Sequence, residues 1–199
     1  MASTRNKAED DDTVPDQILD AARELVLAVG VTRTTATDVA RKAGISRMTF
    51  YRRFADMQRV LADLLTRELS ALIAAAALEV DAKANARQRL CSVALGVVRG
   101  LADDELFARV LDVDPELLLP YVIDRTGASQ WIVLSAITRA LADGRGDGSI
   151  RPCELEPVAR TVLLTVQSFV LSARILVRES NPEAAFAELG LLLDRYLAP

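Results

Sequence analysis

The spacing of the apolar residues restricts the fold of this 199-residue chain more than any other feature. From Pro15 to Leu197 they recur three and four positions apart, which is the period of a helix with one buried face. No stretch longer than a few residues alternates with period two, so no sheet is expected. The pattern predicts an all-α protein, long enough to bury a substantial core in one domain or two small ones.

Residues that start and end helices divide the N-terminal third of the chain. Pro15 suits the first turn of a helix, and Gly30 suits the left-handed residue that ends one. Each of three further helices follows a residue whose side chain can accept hydrogen bonds from the first turn: Thr35, Ser46 and Asp56. Residues 1–13 are polar and acidic, and we expect them to form a disordered tail.

Two of the predicted helices are short and flank Gly44-Ile45-Ser46, which is the arrangement of a helix-turn-helix. In that motif the second helix enters the major groove of DNA. Phe50 and Phe54 lie four positions apart and can anchor one face of this helix. The rest of the helix carries basic and hydroxyl side chains: Arg47, Thr49, Tyr51, Arg52 and Arg53. The alternative is a helical hairpin whose charges are merely solvated.

The charge distribution favours DNA binding over that alternative. The net charge is −4, yet the segment from Arg41 to Arg59 holds six basic residues and one acidic residue. Residues 60–199 instead carry 14 basic and 19 acidic residues. A basic island on an acidic body is typical of a DNA-contacting module attached to another domain. We therefore predict a helix-turn-helix DNA-binding domain at residues 14–55 and a helical domain at residues 56–199.

Composition excludes most enzyme chemistry. The chain has no histidine, which removes Ser-His-Asp and Cys-His nucleophile pairs and zinc sites with histidine ligands. Cys91 and Cys153 are too far apart in sequence for a Cys-x-x-Cys pair. We expect no enzymatic activity, metal or cofactor. Two alternatives remain, a thiol-based redox sensor that uses these cysteines and a helical adaptor that binds proteins instead of DNA.

No membrane-spanning segment or export signal is visible. The longest uncharged stretch of the most apolar region, Thr161–Ala173, has 13 residues, whereas a spanning helix needs about 20. The first dozen residues lack the apolar core of a signal peptide. We expect a cytoplasmic protein with no membrane partner.

The second predicted domain reads as helices over residues 86–101, 104–111, 115–123, 129–141, 157–177 and 182–197. The segment Gly144-Arg-Gly-Asp-Gly148 is predicted to be a flexible loop. The helix at 157–177 is apolar on nearly all sides, so one face requires a partner. We expect a homodimer in which this helix and the last one form the interface. The residues predicted at the interface are Leu163, Val166, Phe169, Val170, Leu189 and Leu193.

A ligand pocket is expected where polar or amphipathic groups lie within these apolar helices. The predicted ligand-binding residues are Tyr121, Arg125, Trp131 and Gln167. The alternative for each is structural, with Trp131 in the core and Arg125 as a surface charge or loop anchor. Because these helices offer few charges, the predicted effector is an apolar or amphipathic small molecule.

Four segments of the N-terminal third resemble a known family when taken in order. They are Ile18-Leu-Asp-Ala-Ala-Arg-Glu-Leu25, Thr34-Thr-Ala-Thr-Asp-Val-Ala40, Ala43-Gly-Ile-Ser46 and Thr49-Phe-Tyr-Arg-Arg-Phe54. Over roughly residues 15–70 the chain resembles TetR-type (tetracycline-repressor-like) transcriptional regulators. The resemblance implies a three-helix DNA-binding domain followed by a helical domain for ligand binding and dimerisation. It also implies a homodimer on a palindromic operator, which represses until a small molecule binds.

The same resemblance indicates which residues contact DNA. Members of the family contact DNA at the positions of Ser46, Arg47, Thr49, Tyr51 and Arg52. Thr35 lies where the second helix approaches a phosphate, and Met48 and Arg53 complete the predicted contact set. Two residues depart from the pattern, since Met48 replaces the usual glycine and Met57 replaces a common lysine. Met57 cannot bind a phosphate, so Arg59 or Arg53 is expected to substitute for it.

Overall fold

The structure is a computed structural model that describes residues 3–113, 128–179 and 181–199, with side chains at 14–111, 130–172 and 181–199. These residues form nine helices and no strand, which confirms the all-α prediction. The helices are α1 (Ser3–Val29), α2 (Ala36–Lys42), α3 (Arg47–Arg53), α4 (Met57–Leu78), α5 (Ala86–Asp103), α6 (Glu105–Val113), α7 (Ala128–Gly146), α8 (Leu155–Glu179) and α9 (Pro182–Leu197). The helix predicted at 115–123 lies outside the described residues. None of the helices in the described ranges is long and apolar enough to cross a membrane.

The first helix is longer than predicted because it begins at Ser3 and carries Pro15 inside it. Residues 3–13, which were expected to form a disordered tail, belong to this helix. Residues 3–14 contain neither glycine nor proline and include several good helix formers, so the helix can extend upstream of Pro15. Proline lacks the amide hydrogen that would bond to the carbonyl four residues earlier, and α1 passes through it with one hydrogen bond fewer.

One compact unit comprises residues 1–67 and 105–123. Its core is built by α1, α2, α3, the beginning of α4 and α6. The largest fully buried side chains in this core are Ile18, Val26, Val39, Phe50, Val60, Leu64 and Leu106. The boundary predicted after residue 55 falls within this hydrophobic cluster. The three helices α1, α2 and α3 offer too little apolar surface to bury a core alone, and α4 and α6 supply the rest.

The other unit comprises residues 68–104 and 124–199 and is organised around α5. This helix contacts α7, α8 and α9, and α8 also contacts α7 and α9. Two glycines permit close approach of the helices, because a Cβ at Gly100 would lie 2.8 Å from Leu72 and one at Gly190 would lie 2.9 Å from Leu95. Fully or almost fully buried side chains of this unit include Val98, Leu141, Val162, Phe186, Leu189, Leu193 and Leu197.

The glycine-rich segment at 144–148 is not a flexible loop, and that prediction is wrong. α7 continues through Gly146, and the turn that follows holds the N-terminus of α5. The Ala86 amide donates to Asp147 Oδ2 at 2.9 Å, and the Arg87 amide donates to Ser149 Oγ at 3.2 Å. Hydrogen bonds from Ser149 and Ala86 hold the pKa of the Asp147 carboxyl below its usual range. Its contribution to stability is present above the carboxyl's ordinary pKa and is lost as the pH falls through the lowered one.

Replacing Leu106 with alanine tests whether α6 belongs to the first core. Leu106 is fully buried, so the substitution leaves a cavity and should lower the free energy of unfolding by about 2–5 kcal/mol. Urea unfolding followed by circular dichroism measures this loss, and hydrogen exchange should become faster at the amides of α1, α2 and α3. Leu78→Ala is the matched control, because Leu78 is 85% exposed and its truncation should change stability by at most about 0.5 kcal/mol. Equal effects of the two substitutions would contradict the role of α6.

Candidate nucleic-acid interface

The turn between α2 and α3 is set by backbone hydrogen bonds that end α2. Gly44 adopts the left-handed conformation, with φ of +69°, and its amide donates to the Arg41 carbonyl at 3.2 Å. The Ile45 amide donates to the Ala40 carbonyl at 3.0 Å, which completes a Schellman motif. Ile45 also packs against the core of the unit. The predicted helix-turn-helix is therefore present, and its turn is tied to the hydrophobic core.

Hydroxyl side chains cap both helices of the motif. Thr35 Oγ1 accepts the Asp38 amide at 3.2 Å and donates to Asp38 Oδ2 at 2.6 Å. Ser46 Oγ accepts the Thr49 amide at 3.0 Å and lies 2.9 Å from the Thr49 hydroxyl. The capping roles of Thr35 and Ser46 are confirmed. Because these hydroxyls already bond within the motif, their first effect is to position α2 and α3.

The rotation of α3 about its axis is set by Phe50, which is fully buried. Its ring lies 6.2 Å from that of Phe54 and 5.3 Å from that of Tyr51, which meets it nearly edge-on. A helix turns by roughly 100° per residue, so the positions two before and two after Phe50 point away from the core. Those positions are Met48 and Arg52, and Tyr51 lies at the side between them and the core.

Four side chains of α3 are exposed, namely Arg47, Met48, Tyr51 and Arg52, and we call them the outer face of α3. Met48 is 83% exposed and Tyr51 is 50% exposed. Thr49 and Arg53, which were also predicted to contact DNA, are half-buried. The outer face therefore joins two cations, an aromatic ring with a hydroxyl group and one apolar side chain, all available to a groove of DNA.

Several cations of the basic island are paired with carboxylates of the same unit. Arg41 lies 2.7 Å from Asp38, Lys42 pairs with Glu24, and Arg59 lies 3.1 Å from Asp63. Arg59 was expected to substitute for Met57 at a phosphate, but its ion pair competes with that contact. These ion pairs compete with contacts between the same cations and DNA.

In this unit, the side chains of two exposed arginines make no hydrogen bond or ion pair with any described residue. Arg47 belongs to the outer face of α3, as predicted. Arg33 lies in the loop before α2 and was missed, because it falls outside the basic island. Its position two residues before the cap Thr35 is the signal that could have identified it, since the start of α2 was already expected near a phosphate.

The described residues include two of the four predicted ligand-binding residues, Trp131 and Gln167. Tyr121 and Arg125 lie outside the described residues. Trp131 on α7 is 54% exposed, so the alternative that places it in the core is wrong. Gln167 on α8 is half-buried, and its side-chain oxygen Oε1 is buried without a hydrogen-bond partner among the described residues. A buried amide oxygen of this kind can accept a hydrogen bond from a bound molecule.

The residues predicted at the dimer interface divide into two groups. Val170, Leu189 and Leu193 are buried within one copy of the chain, so they form its own core and cannot present surface to a partner. Leu163, Val166 and Phe169 are half-buried. Among the described side chains, the large apolar ones that α8 and α9 expose are different: Leu164, Leu191 and Leu192. Val170, Leu189 and Leu193 were thus assigned to the interface although other residues of the same protomer cover them.

The cysteines give little support to a redox sensor. Burial, with the carboxylate of Asp194 adding to it, raises the pKa of the Cys91 thiol to about 11. Only the thiolate is the reactive form, so Cys91 is almost entirely unreactive near neutral pH. Cys153 is half-buried and is not joined to Cys91 by a disulfide.

A helix-turn-helix with a basic and aromatic outer face on its second helix defines a DNA-binding protein. Residues 18–64 match the family described as bacterial regulatory proteins, tetR family. The chain is also 33% identical, over 91% of its length and 93% of the relative's, to an uncharacterised HTH-type transcriptional regulator of Mycobacterium bovis. The chain belongs to the TetR family and is a DNA-binding transcriptional regulator.

Two solved structures share the fold. The transcriptional repressor QsdR of R. erythropolis matches with a TM-score of 0.69 and 16% identity, over 92% of this chain and 94% of that one. The regulator FadR of Bacillus subtilis, solved in complex with stearoyl-CoA, matches with a TM-score of 0.61 and 20% identity, over 89% and 96%. At these identities the likeness concerns the fold alone.

Arg52 and Arg47 should contribute to DNA binding in different ways, because Arg52 points outward and Arg47 lies on the flank of α3. Arg52→Ala should weaken binding to the protein's own upstream DNA by about 1–3 kcal/mol and relax the preference at one base pair. Arg47→Ala should weaken binding to all sequences and lower the salt dependence by about one unit, as expected for a lost phosphate contact. Fluorescence anisotropy at several salt concentrations measures both effects.

Arg160→Ala is the matched control for these two variants, because Arg160 is an exposed arginine of α8 that pairs with Glu156. This variant should bind DNA as the unmodified protein does. Unchanged DNA binding by both Arg47→Ala and Arg52→Ala would contradict the assignment of the outer face of α3 as the DNA interface.

Proposed function

We propose that this protein is a cytoplasmic repressor that binds a palindromic operator as a homodimer and releases it when an apolar or amphipathic small molecule binds. The observation that carries this proposal is that one chain has both a basic outer face on α3 and exposed leucines on α8 and α9 of the second unit. The outer face of α3 supplies the contact with DNA. The leucines supply the surface through which two copies can associate.

The dimer is argued from apolar surface that the protomer leaves uncovered. Leu164 is 61% exposed, and Leu191 and Leu192 are also exposed. On α9 the exposed residues Ala184 and Ala187 precede Leu191 at helical spacing, which extends the apolar stripe. A second copy would cover this surface with the same surface of its own, as two-fold symmetry requires.

A two-fold dimer also explains why the operator should be palindromic. Each copy presents one α3, and the symmetry that relates the copies must relate the two half-sites of DNA. The helices can reach successive major grooves only if the half-site centres lie about 34–36 Å apart or at a multiple of that distance. One α3 by itself would contact too few base pairs for tight specific binding.

Charge placed on the exposed apolar surface should separate the copies. The variant Leu164→Glu with Leu191→Glu should sediment as a monomer at micromolar concentration, because two carboxylates per copy would have to be desolvated in the interface. It should also lose operator binding, which needs both recognition helices. The control variant Leu78→Glu adds a charge at an exposed leucine of α4, outside the proposed interface, and should remain dimeric. A monomeric unmodified protein, or a dimeric double variant, would contradict the proposed interface.

The effector site is argued from Gln167. Its buried Oε1 accepts no hydrogen bond from the described residues, although buried polar oxygens are nearly always paired. Two apolar neighbours lie along the same helix: Val166 is half-buried, and Val170 is buried. A ligand with an apolar body and one hydrogen-bond donor would match this combination. The acyl-CoA bound by the FadR structure is a ligand of the same amphipathic class.

Two connections of the chain can carry the effect of such a ligand to α3. The helix α4 contributes Val60 and Leu64 to the DNA-binding core and continues into the second unit. The helix α6 contributes Leu106 to the same core and is joined to α5 through Asp104 alone. A ligand that prefers one arrangement of these helices by about 1.4 kcal/mol changes operator affinity tenfold, and operator DNA must weaken ligand binding by the same factor.

Gln167→Leu should distinguish a ligand-binding role from a structural one. Because no described residue bonds to the side-chain oxygen, the variant should keep its thermal stability and its operator affinity. It should lose affinity for a compound that a thermal-shift screen of apolar and amphipathic molecules identifies, since the acceptor for the ligand's polar end is gone. Calorimetry with and without operator measures the affinities. Equal ligand affinity in the presence and absence of operator would contradict release by ligand, and a destabilised variant would show a structural role for Gln167.

A further inference from the structure

Met48 is an exposed residue of α3 whose presence on the DNA-binding face cannot be explained by charge, because its side chain is apolar. It is 83% exposed, more than any other large apolar residue of the described chain except Leu78. It lies two positions from the buried Phe50, so it points away from the core together with Arg52. One of the two outward positions of the DNA-binding helix is thus occupied by an apolar side chain placed among cations.

The chemistry of methionine excludes most contacts that DNA offers. Its thioether carries no charge and no hydrogen to donate, and its sulfur is a weak acceptor. Phosphate oxygens need cations or N–H and O–H donors, so Met48 cannot contribute to the backbone contacts that position the protein. The hydrogen-bonding edges of guanine, cytosine and adenine in the major groove also need polar partners.

One feature of the major groove is apolar, and it is the C5-methyl group of thymine. We propose that Met48 reads a thymine in each half-site of the operator by apolar contact with this methyl group. The proposal rests on the DNA binding of α3 described above and adds a specificity-determining residue to it. The flexible, unbranched side chain of methionine can adjust to the position of the methyl group, which a β-branched residue could not do as readily.

The neighbours of Met48 on the outer face of α3 make DNA the expected partner. Arg47 precedes it and Arg52 lies one turn away, so a surface that covers Met48 must also accept two cations. A purely apolar partner would bury the Arg47 guanidinium without a compensating charge. The major groove offers phosphates at its edges and the thymine methyl on its floor, and it therefore satisfies both kinds of side chain.

Deoxyuridine substitution tests the contact, because uracil pairs with adenine as thymine does but lacks the methyl group. The duplex is the segment of the protein's own upstream DNA that the full-length protein protects from nuclease. Each thymine is replaced in turn by deoxyuridine, and fluorescence anisotropy gives the dissociation constants. For the unmodified protein, replacing one particular thymine in each half-site should lower the affinity for the duplex about fourfold, which corresponds to about 0.8 kcal/mol for one buried methyl group.

Repeating the deoxyuridine substitutions with the Met48→Ala variant tests whether Met48 is the residue that contacts the sensitive thymine. This variant should bind the unsubstituted duplex more weakly and show no further loss at the sensitive thymine, whereas any losses at other thymines should persist. Met48→Leu keeps an apolar side chain of similar size and should retain the sensitivity. Because Met48 is exposed, both variants should unfold at the temperature of the unmodified protein.

The outcomes separate this proposal from the proposed function. If the unmodified protein binds the duplex and no thymine is coupled to Met48, the thymine contact is wrong while operator binding stands. A protected segment without thymine in its half-sites overturns the proposal in the same way. If the unmodified protein binds no DNA at all, both the repressor function and the thymine contact are wrong.

Discussion

Burial of Phe50 is the interaction on which the DNA interface depends. The side chain is fully buried in the hydrophobic cluster to which α1, α2, α4 and α6 also contribute, and this fixes how α3 is turned about its own axis. With Phe50 directed inward, Met48 and Arg52 are directed outward, and Tyr51 packs its ring edge-on against Phe50. A polar residue at position 50 would cost the buried contact and the orientation of every exposed side chain on α3.

The first core includes side chains of helices beyond the three N-terminal ones. A three-helix unit could in principle be released from the rest of the chain, but here α4 and α6 complete its core. Both helices are continuous, or nearly continuous, in sequence with helices of the second unit. The stability of the DNA-binding unit therefore depends on side chains of α4 and α6, among them Val60 and Leu106.

Polar contacts organise one end of the second unit around the N-terminus of α5. Asp147 and Ser149 accept amide hydrogens from the first turn of α5, which would otherwise lack partners. Nearby in sequence, Arg151 donates to the Tyr196 carbonyl at 2.9 Å, and its guanidinium lies 4.9 Å from the centre of the Tyr196 ring. The turn after α7 thus joins α5 to the end of α9, which explains why a glycine-rich segment is ordered.

The sequence alone determined where α2 and α3 begin and where α2 ends, and it placed the basic residues on α3. Caps such as Thr35 and Ser46, and the left-handed Gly44, act through hydrogen bonds to residues only a few positions away, so local patterns identify them. Only the tertiary structure decided which helix faces are covered. Leu189 and Leu164 look equivalent in an apolar pattern, yet one is fully buried in the protomer and the other is exposed. Burial depends on elements distant in sequence, and the place of α6 beside α1 is decided in the same way.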